Sequence, residues 1–298
     1  MKISFKKTPC AICEVENYKM KYEESIDYNK IDVSPRHIPS KSHYRIVECN
    51  KCGLIYSNPI FSDDYIIKLY NNSSFINEIQ VEFMAEDYLG QLKKASSFIK
   101  QKNNLLEIGC GNGCFLKKAK DFGFKNVYGV EPSKNAFEQA DEEIKGNIIN
   151  DVFRGGLYKD NFFDLACVIQ VIDHVIDPND ILRNIYKVIK ENGYILIISH
   201  NVRFFLTKIL GEKSPMYDIG HIYLFDKITI RKLLAKHGFQ VVYVKNITSR
   251  YTIGHILKLF PFPDFVKHFL IDAAVKLSIE HKKIKIMGGN MVAFAKKI

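Results

Sequence analysis

From residue 104 onward, short apolar runs alternate with segments of helical periodicity. The apolar runs are residues 105–108, 127–130, 148–149, 163–169, 194–199, 239–244 and 291–296. The helical segments between them are residues 114–122, 133–144, 180–190 and 228–237. Continuous apolar strands that alternate with amphipathic helices are typical of a parallel sheet with helices on both faces. This pattern predicts a doubly wound α/β fold.

The chain before residue 104 follows two other patterns. Residues 62–102 read as helical, with a short helix at 63–70 that Ser62 caps and a longer one at 78–100. Residues 1–60 lack sustained periodicity and contain four prolines and two pairs of cysteines. We therefore predict a small module at 1–60, a helical linker at 61–103 that packs on the core, and a main domain at 104–298.

Composition narrows the class of protein. The 298 residues are 47% hydrophobic and 26% charged, which is typical of a globular protein and excludes a disordered or fibrous one. The apolar runs are too short to cross a bilayer, and Pro9 and Glu14 interrupt the start where a signal peptide needs an apolar run. We expect a soluble cytoplasmic protein, in which cysteines are thiols or metal ligands rather than disulfides.

The net charge of +10 is concentrated near the end of the chain. Residues 201–298 contain 17 Lys and Arg against 6 Asp and Glu. Such a field attracts nucleic acid, a membrane surface or a phosphorylated small substrate. A solvated basic surface without a partner is an equally good interpretation.

A glycine turn follows the first strand of the main domain. Gly109, Gly111 and Gly113 let the backbone approach a ligand closely, as in dinucleotide enzymes with G-x-G-x-x-G. Here Cys114 stands where that pattern has its third glycine, and Glu107 precedes the turn. A carboxylate there repels a pyrophosphate and attracts a cationic group. A nicotinamide oxidoreductase is therefore disfavoured.

Acids also follow the next two strands. Glu131 closes the second strand, 22 residues after Gly109, where an acid accepts hydrogen bonds from both hydroxyls of a ribose. Asp151 follows the third strand and is placed to accept from an adenine amino group, although an exposed loop acid is a competing interpretation. Gln170 follows the fourth strand.

The motifs E-x-G-x-G-x-G, V-Y-G-V-E, F-D…D-H-V-x-D-P and N-G-Y-I-L-I-I, in this order, resemble those of the class I S-adenosylmethionine-dependent methyltransferases. The resemblance is dense over residues 104–199. It implies a Rossmann-like sheet whose last strand inserts antiparallel beside strand six. It also implies that the methionyl part of the cofactor contacts four residues, Glu107, Gly109, Gly111 and Gly113. Glu131 would hold the ribose and Asp151 the adenine, and Gln170 would lie near the sulfonium.

Two C-x-x-C pairs, Cys10/Cys13 and Cys49/Cys52, are separated by 35 residues. Two thiolates at i and i+3 converge on one ion, and two such pairs complete a closed tetrahedral site, which is structural. We predict a zinc ribbon at these cysteines rather than a pair of disulfides. His37 and His43 lie between the pairs and are not expected to be ligands.

A four-cysteine ribbon before a methyltransferase domain resembles the bacterial enzymes that methylate deoxysugar nucleotides or surface glycans. Their histidine motif before aromatic residues is similar to Gly220-His221-Ile-Tyr223-Leu-Phe225 here. The resemblance implies O- or C-methylation of an anionic small molecule such as a sugar nucleotide, in polysaccharide biosynthesis. The alternatives are an RNA methyltransferase that reads RNA through the ribbon, and a cofactor-binding protein without catalysis.

Transfer to a hydroxyl or a carbon acid requires a base, and histidine is the usual one near neutral pH. His221 is our first candidate because it follows the loop that leaves strand five; a polar cap on the helix at 228–237 is the alternative. His174 is the second candidate and His200 the third. His237 and His255 are expected to be exposed or packing residues.

Residues 247–289 form an insertion before the last strand that mixes apolar and basic side chains. Attachment to an anionic membrane is one interpretation of such a segment. Pro261 and Pro263 interrupt any long interfacial helix, so a lid over the acceptor pocket is favoured, without stable membrane insertion.

Overall fold

The computed structural model describes residues 3–28, 31, 42–71, 78–260 and 262–298. His37 and Pro261 lie outside these residues. The amino-terminal module contains five short strands: β1 Phe5–Lys6, β2 Tyr18–Tyr22, β3 Ile46–Cys49, β4 Ile55–Ser57 and β5 Ile60–Phe61.

Ten further strands follow. They are β6 Asn104–Ile108, β7 Asn126–Val130, β8 Ile148–Ile149, β9 Phe163–Ile169, β10 Ile189–His200, β11 Tyr223–Leu224, β12 Phe239–Asn246, β13 Ser249–Thr252, β14 Lys283–Ile286 and β15 Asn290–Lys297. Seven of them form one sheet in the order β12-β15-β10-β9-β6-β7-β8. β15 runs antiparallel to both β10 and β12, while the pairs from β10 to β8 are parallel. This is the class I methyltransferase arrangement that the sequence predicted.

The helices are α1 Asp63–Asn71, α2 Glu78–Ala95, α3 Cys114–Asp121, α4 Lys134–Glu138, α5 Glu142–Lys145, α6 Pro178–Val188, α7 Phe205–Leu210, α8 Lys227–Lys236, α9 Ile253–Leu259 and α10 Asp264–Lys276. The single helix predicted at 133–144 is instead two, because Ser133 and Asp141 each cap a separate start. α2 ends at Ala95 rather than at residue 100, where the Ser96 hydroxyl donates to the Lys93 carbonyl.

The amino-terminal module shares its core with the main sheet. Val47, Leu54 and Tyr56 of the module belong to the same buried cluster as Leu106 and Val168 of the main sheet. The opposite face of that sheet packs against α2 and α3 in a second cluster. The module and the sheet are therefore joined by one continuous apolar interior.

Residues 247–289 contribute the antiparallel strand pair β13–β14 and, between these strands, the helices α9 and α10. Among the described residues, no helix is both long and apolar enough to span a membrane. α9 is followed by α10 after a short connection, and the two helices pack on each other.

Candidate active site

A cavity of about 670 Å³ opens at the carboxyl ends of β6, β7, β9 and β10. In a parallel sheet this edge is the usual ligand crevice, because the connecting loops converge there. The cavity wall includes seven of the residues that the sequence singled out: Glu107, Gly109, Gly111, Glu131, Gln170, His174 and His221. The structure thus brings most of the predicted cofactor and base residues to one place.

The glycine turn has two different roles in the structure. Gly109 has a φ of 68°, and a Cβ there would lie 2.5 Å from Val171 Cγ2, so only glycine fits. Gly113 also has a positive φ, but its missing Cβ makes room for Ile144 Cδ1, which would be 2.3 Å away. Gly113 therefore lets α3 pack closely on α5, and it is not among the residues of the cavity wall.

Glu131 is held in place by the backbone. Its Oε2 accepts a hydrogen bond from the Gly111 N–H and its Oε1 accepts one from the Ser133 N–H, each at 2.8 Å. The side chain is buried, yet it contributes to the cavity wall. Each carboxylate oxygen has a second lone pair. The geometry fits a carboxylate that accepts from the hydroxyls of a ribose.

The family resemblance implied that Asp151 contacts the adenine, but its side chain does not face the cavity. Its carboxylate accepts from the Val152 N–H and pairs with the guanidinium of Arg154. Val152 and Phe153 contribute to the cavity wall instead. An apolar surface, rather than a carboxylate, is therefore what this loop offers to an adenine.

Gln170 lies at the point where β9 ends, with a φ of 54°. Its side-chain nitrogen donates to Asn290 Oδ1 at 3.3 Å, and its buried Oε1 has no hydrogen-bond partner among the described residues. Asn290 in turn donates to the Tyr251 hydroxyl. Both Asn290 and Tyr251 contribute to the cavity wall. Gln170 thus belongs to a polar strip that crosses from β9 to β15.

Three histidines meet beside this strip. The ring centroids of His174 and His221 are 4.6 Å apart, and those of His200 and His221 are 4.9 Å apart. His174 Nδ1 lies 2.9 Å from the Gly220 carbonyl oxygen, and His221 Nδ1 lies 3.0 Å from that of Met216. Because a carbonyl oxygen only accepts, both Nδ1 atoms donate, and in the neutral form of each ring the lone pair is on Nε2.

His200 pairs with Asp173, a buried acid to which the sequence motifs assigned no role. His200 Nδ1 lies 2.8 Å from Asp173 Oδ2, while His174 Nε2 lies 3.8 Å from Asp173 Oδ1. Burial alone raises the pKa of Asp173, but the charges and the hydrogen bond of the surrounding histidines lower that pKa well below its usual range. Asp173 is therefore ionised. Its position directly before His174 is the signal that could have found it.

His221 is less suited to a base role than the sequence suggested. Burial, together with the neighbouring His174 and His200, lowers the pKa of His221 to about 3. It is not the cap of α8 either, because Asp226 accepts from the first backbone N–H groups of that helix and forms a capping box with Thr229. His221 is a neutral, oriented imidazole in the wall of the cavity.

Two other expectations for histidines have different outcomes. His237 lies outside the cavity wall and contacts Asn179 Oδ1 at 2.9 Å, so it is a packing residue as predicted. His255, expected to be exposed or to pack, contributes to the cavity wall from α9 together with Ile256 and Leu259. The sequence carried no signal for this, because the position of α9 over the cavity is a tertiary feature.

The amino-terminal module, which contains the four clustered cysteines, contacts the active-site histidines directly. β11, which begins two residues after His221, pairs with β4 and completes a four-stranded sheet in the order β11-β4-β3-β2. The Ile222 and Tyr223 N–H groups donate to the Asp173 carbonyl oxygen at 2.8 and 3.1 Å. One short segment therefore connects the module to the acid and the histidines.

The four predicted zinc ligands converge. Their four sulfur atoms lie within 4.8 Å of one another. All four residues are free thiols: Cys10, Cys13, Cys49 and Cys52. Gly53 has a φ of 79°, the left-handed turn that such knuckles use. Four thiolates at one point are the donor set of a closed zinc site. Cys110 and Cys167, in contrast, are fully buried, and burial raises the pKa of both thiols.

A family profile described as "Methyltransferase domain" matches residues 81–244, which is more than half of the chain. The chain belongs to the methyltransferase domain family. Its fold, which is that of the class I S-adenosylmethionine-dependent methyltransferases, and its glycine turn agree with that assignment.

Curated relatives of this methyltransferase match over part of their length. The chain is 27% identical over 127 residues to a mitochondrial ubiquinone biosynthesis O-methyltransferase of Dictyostelium discoideum, which covers 37% of the chain and 40% of the relative. It is 27% identical over 176 residues to phosphoethanolamine N-methyltransferase 2 of Caenorhabditis elegans, which covers 56% of the chain and 39% of the relative. The chain thus spans less than half the length of these two relatives.

Two solved structures of methyltransferases are among those similar to this chain. A SAM-dependent methyltransferase from Archaeoglobus fulgidus is 19% identical with a TM-score of 0.49, and the match covers 79% of this chain and all of that one. A possible histamine N-methyltransferase from Thermotoga maritima is 23% identical with a TM-score of 0.48, covering 75% and 97%.

Proposed function

We propose that this enzyme transfers the methyl group of S-adenosylmethionine to a hydroxyl of a small acceptor with a largely apolar body. The lining of the cavity carries the proposal. Its charged members are all acids, and among the described lining residues there is no Lys or Arg. The remainder is mainly aliphatic and aromatic, including Met84, Leu206 and Phe260. Such a surface favours an acceptor without phosphate groups.

The cofactor would occupy the end of the cavity beside β6 and β7. Glu131 would accept from the ribose hydroxyls, and Gly109 and Gly111 would allow the methionyl part to approach the backbone. Glu107 at the end of β6 would attract its amino group. Val152 and Phe153 would cover the adenine. This arrangement leaves the sulfonium toward Gln170 and the histidines.

His174 is our proposed base. Its Nδ1 donates to the Gly220 carbonyl oxygen, which fixes the tautomer and leaves the Nε2 lone pair available. In the reaction the acceptor O–H proton moves to His174 Nε2 as the oxygen lone pair attacks the methyl carbon. Bound S-adenosylmethionine would supply the methyl group, and its sulfur would keep the electron pair of the broken carbon–sulfur bond. The main contribution of the cavity is alignment and exclusion of water.

Three further features complete the proposal. The curated relatives include ubiquinone biosynthesis O-methyltransferases, which supports transfer to oxygen. The segment at 247–289 would act as a lid, since Tyr251, His255 and Leu259 from this segment contribute to the cavity wall. The ribbon would hold a structural zinc at its four cysteines.

A sugar nucleotide or surface-glycan precursor is the second candidate acceptor. The cysteine ribbon and the histidine motif at Gly220-His221 favour it, and the basic last third of the chain is compatible with an anionic substrate. The acidic and apolar lining counts against it, because a diphosphate requires cationic partners or backbone donors.

The two acceptor classes can be separated directly. The purified enzyme and S-adenosylmethionine are incubated with phenols that carry apolar chains and, separately, with nucleotide sugars. We expect mass spectrometry to find one added methyl group on the phenols. Methylation confined to the nucleotide sugars would replace our acceptor with the second candidate.

A further inference from the structure

We propose that Asp173, His200 and His221 bind a divalent transition-metal ion at the floor of the cavity, separate from the cysteine site. One carboxylate oxygen of Asp173 and one ring nitrogen of each histidine lie within 4.8 Å of one another. Two imidazoles and one carboxylate are the donor set of many catalytic metal sites that keep positions open for a substrate. Ligand bonds of about 2.0–2.2 Å place two donor atoms of one ion at most about 4.4 Å apart, so these side chains need only a small adjustment to hold an ion.

His221 is already oriented as a metal ligand usually is. A ligating imidazole typically donates its other ring N–H to a carbonyl or a carboxylate. His221 does so through Nδ1 to the Met216 carbonyl oxygen, which leaves Nε2 for the ion.

The buried charge of Asp173 supplies an independent argument. The side chain is 3% exposed, and its Oδ1 has no hydrogen-bond partner among the described residues. Its ion-pair partners in the described part of the chain are both histidines, His174 and His200. A buried carboxylate needs a compensating cation, and adjacent imidazoles repel one another when more than one is protonated. A divalent ion satisfies the unpaired oxygen and the charge together.

The ion would also explain how the acceptor hydroxyl loses its proton. This step rests on the proposed function, whereas the metal site itself does not. An acceptor oxygen in an open coordination position has a lowered pKa, because the ion stabilises the alkoxide or phenolate. His174 Nε2 lies 3.8 Å from Asp173 Oδ1, beside that position, and takes the proton. The oxygen then attacks the methyl carbon while the sulfur leaves with the bonding electrons.

Metal content tests the site without any methyl acceptor. The full chain is purified with zinc, dialysed, and analysed for metal by mass spectrometry. We expect two zinc ions per chain in the wild type and one in His200→Ala. The matched control is His255→Ala, which removes another histidine of the cavity wall outside the metal site and should keep two. Equal zinc content in His200→Ala and in the wild type would overturn the proposal.

Cobalt distinguishes the two sites. Co²⁺ at the cysteines gives intense sulfur-to-metal charge-transfer bands, whereas Co²⁺ on nitrogen and oxygen gives only weak d–d bands. Titration of metal-free protein with Co²⁺ should show both sets of bands. Asp173→Asn should weaken the Co²⁺ affinity of the nitrogen–oxygen site by at least about 100-fold, while the thiolate bands remain. A wild-type spectrum with thiolate bands alone would mean that Asp173 and His200 form only a hydrogen-bonded pair.

S-adenosylmethionine binding is measured by calorimetry on the same samples. Loss of the second metal in His200→Ala with unchanged cofactor affinity supports the site even if no acceptor has been found. Failure of the wild type to bind S-adenosylmethionine contradicts the proposed function but leaves the metal result intact.

Discussion

Ser57 Oγ donates a 2.9 Å hydrogen bond to the backbone carbonyl oxygen of His221, which joins β4 of the amino-terminal module to the wall of the active site. The Ser57 N–H also donates to the Ile222 carbonyl oxygen at 2.8 Å. Both residues are buried, so water does not replace these bonds readily. The module is therefore part of the structure that fixes the active-site histidine.

The first prediction follows from this contact. Ser57→Ala should lower the turnover of methyl transfer, because His221 loses a buried restraint of about 1 kcal/mol, while the affinity for S-adenosylmethionine stays within about twofold. Steady-state assays and calorimetry give the two values. Ser96→Ala, which removes an exposed hydroxyl bonded to the Lys93 carbonyl, is the control and should leave both unchanged. Equal loss of turnover in both variants would show that the Ser57 contact has no special role.

The second prediction concerns the cysteine site. Cys52→Ser should remove the zinc of the ribbon and lower the melting temperature of the whole chain, because Tyr56 and Leu54 share a core with the main sheet. Unfolding followed by circular dichroism and metal analysis measures both effects. Cys167→Ala, a buried cysteine outside the cluster, should keep the zinc. A disulfide within the pairs, or an unchanged metal content in Cys52→Ser, would contradict the zinc assignment.

The third prediction separates two acids that the sequence treats alike. Glu131→Ala should weaken S-adenosylmethionine binding by ~1–3 kcal/mol, about 5- to 150-fold, because a charged acceptor for the ribose is lost. Asp151→Ala should change it by no more than about twofold, since that carboxylate pairs with Arg154 rather than facing the cavity. Calorimetry on both variants decides. A large loss in Asp151→Ala would restore the adenine contact that the family resemblance implied.

The sequence predicted the strands of the main sheet because each is a short apolar run with its own local pattern. The antiparallel direction of the last strand was implied by the family resemblance instead. It also predicted that Glu131 and the four cysteines would be functional, since spacing alone brings them to a strand end or to one ion. Gly113 shows the limit. A glycine with a positive φ can allow either the close approach of a ligand or the close packing of two helices. At Gly113 the contact with Ile144 shows that helix packing is the reason.

Features that depend on distant contacts were not predictable. The pairing of β4 with β11 joins residues more than 160 positions apart, and nothing in either segment names its partner. The low pKa of His221 likewise arises from burial and from the neighbouring His174 and His200. These three histidines are far apart in the sequence, and His200 ends β10. The sequence identified the candidate histidines, but their separate roles depend on tertiary packing, which the sequence does not show.

The last prediction tests the base. His174→Ala should lower turnover by on the order of 10²–10⁴, the usual contribution of a positioned base, and should leave S-adenosylmethionine affinity nearly unchanged. His174→Asn should be almost as slow, because an amide keeps a hydrogen bond but cannot accept the proton. His237→Ala is the control, since His237 contacts Asn179 outside the cavity, and it should retain wild-type turnover. Single-turnover assays at saturating cofactor isolate the chemical step. If His174→Ala reacts within a few-fold of the wild type, the proton goes to another group of the cavity wall, and the fixed Nδ1 bond to Gly220 serves packing alone.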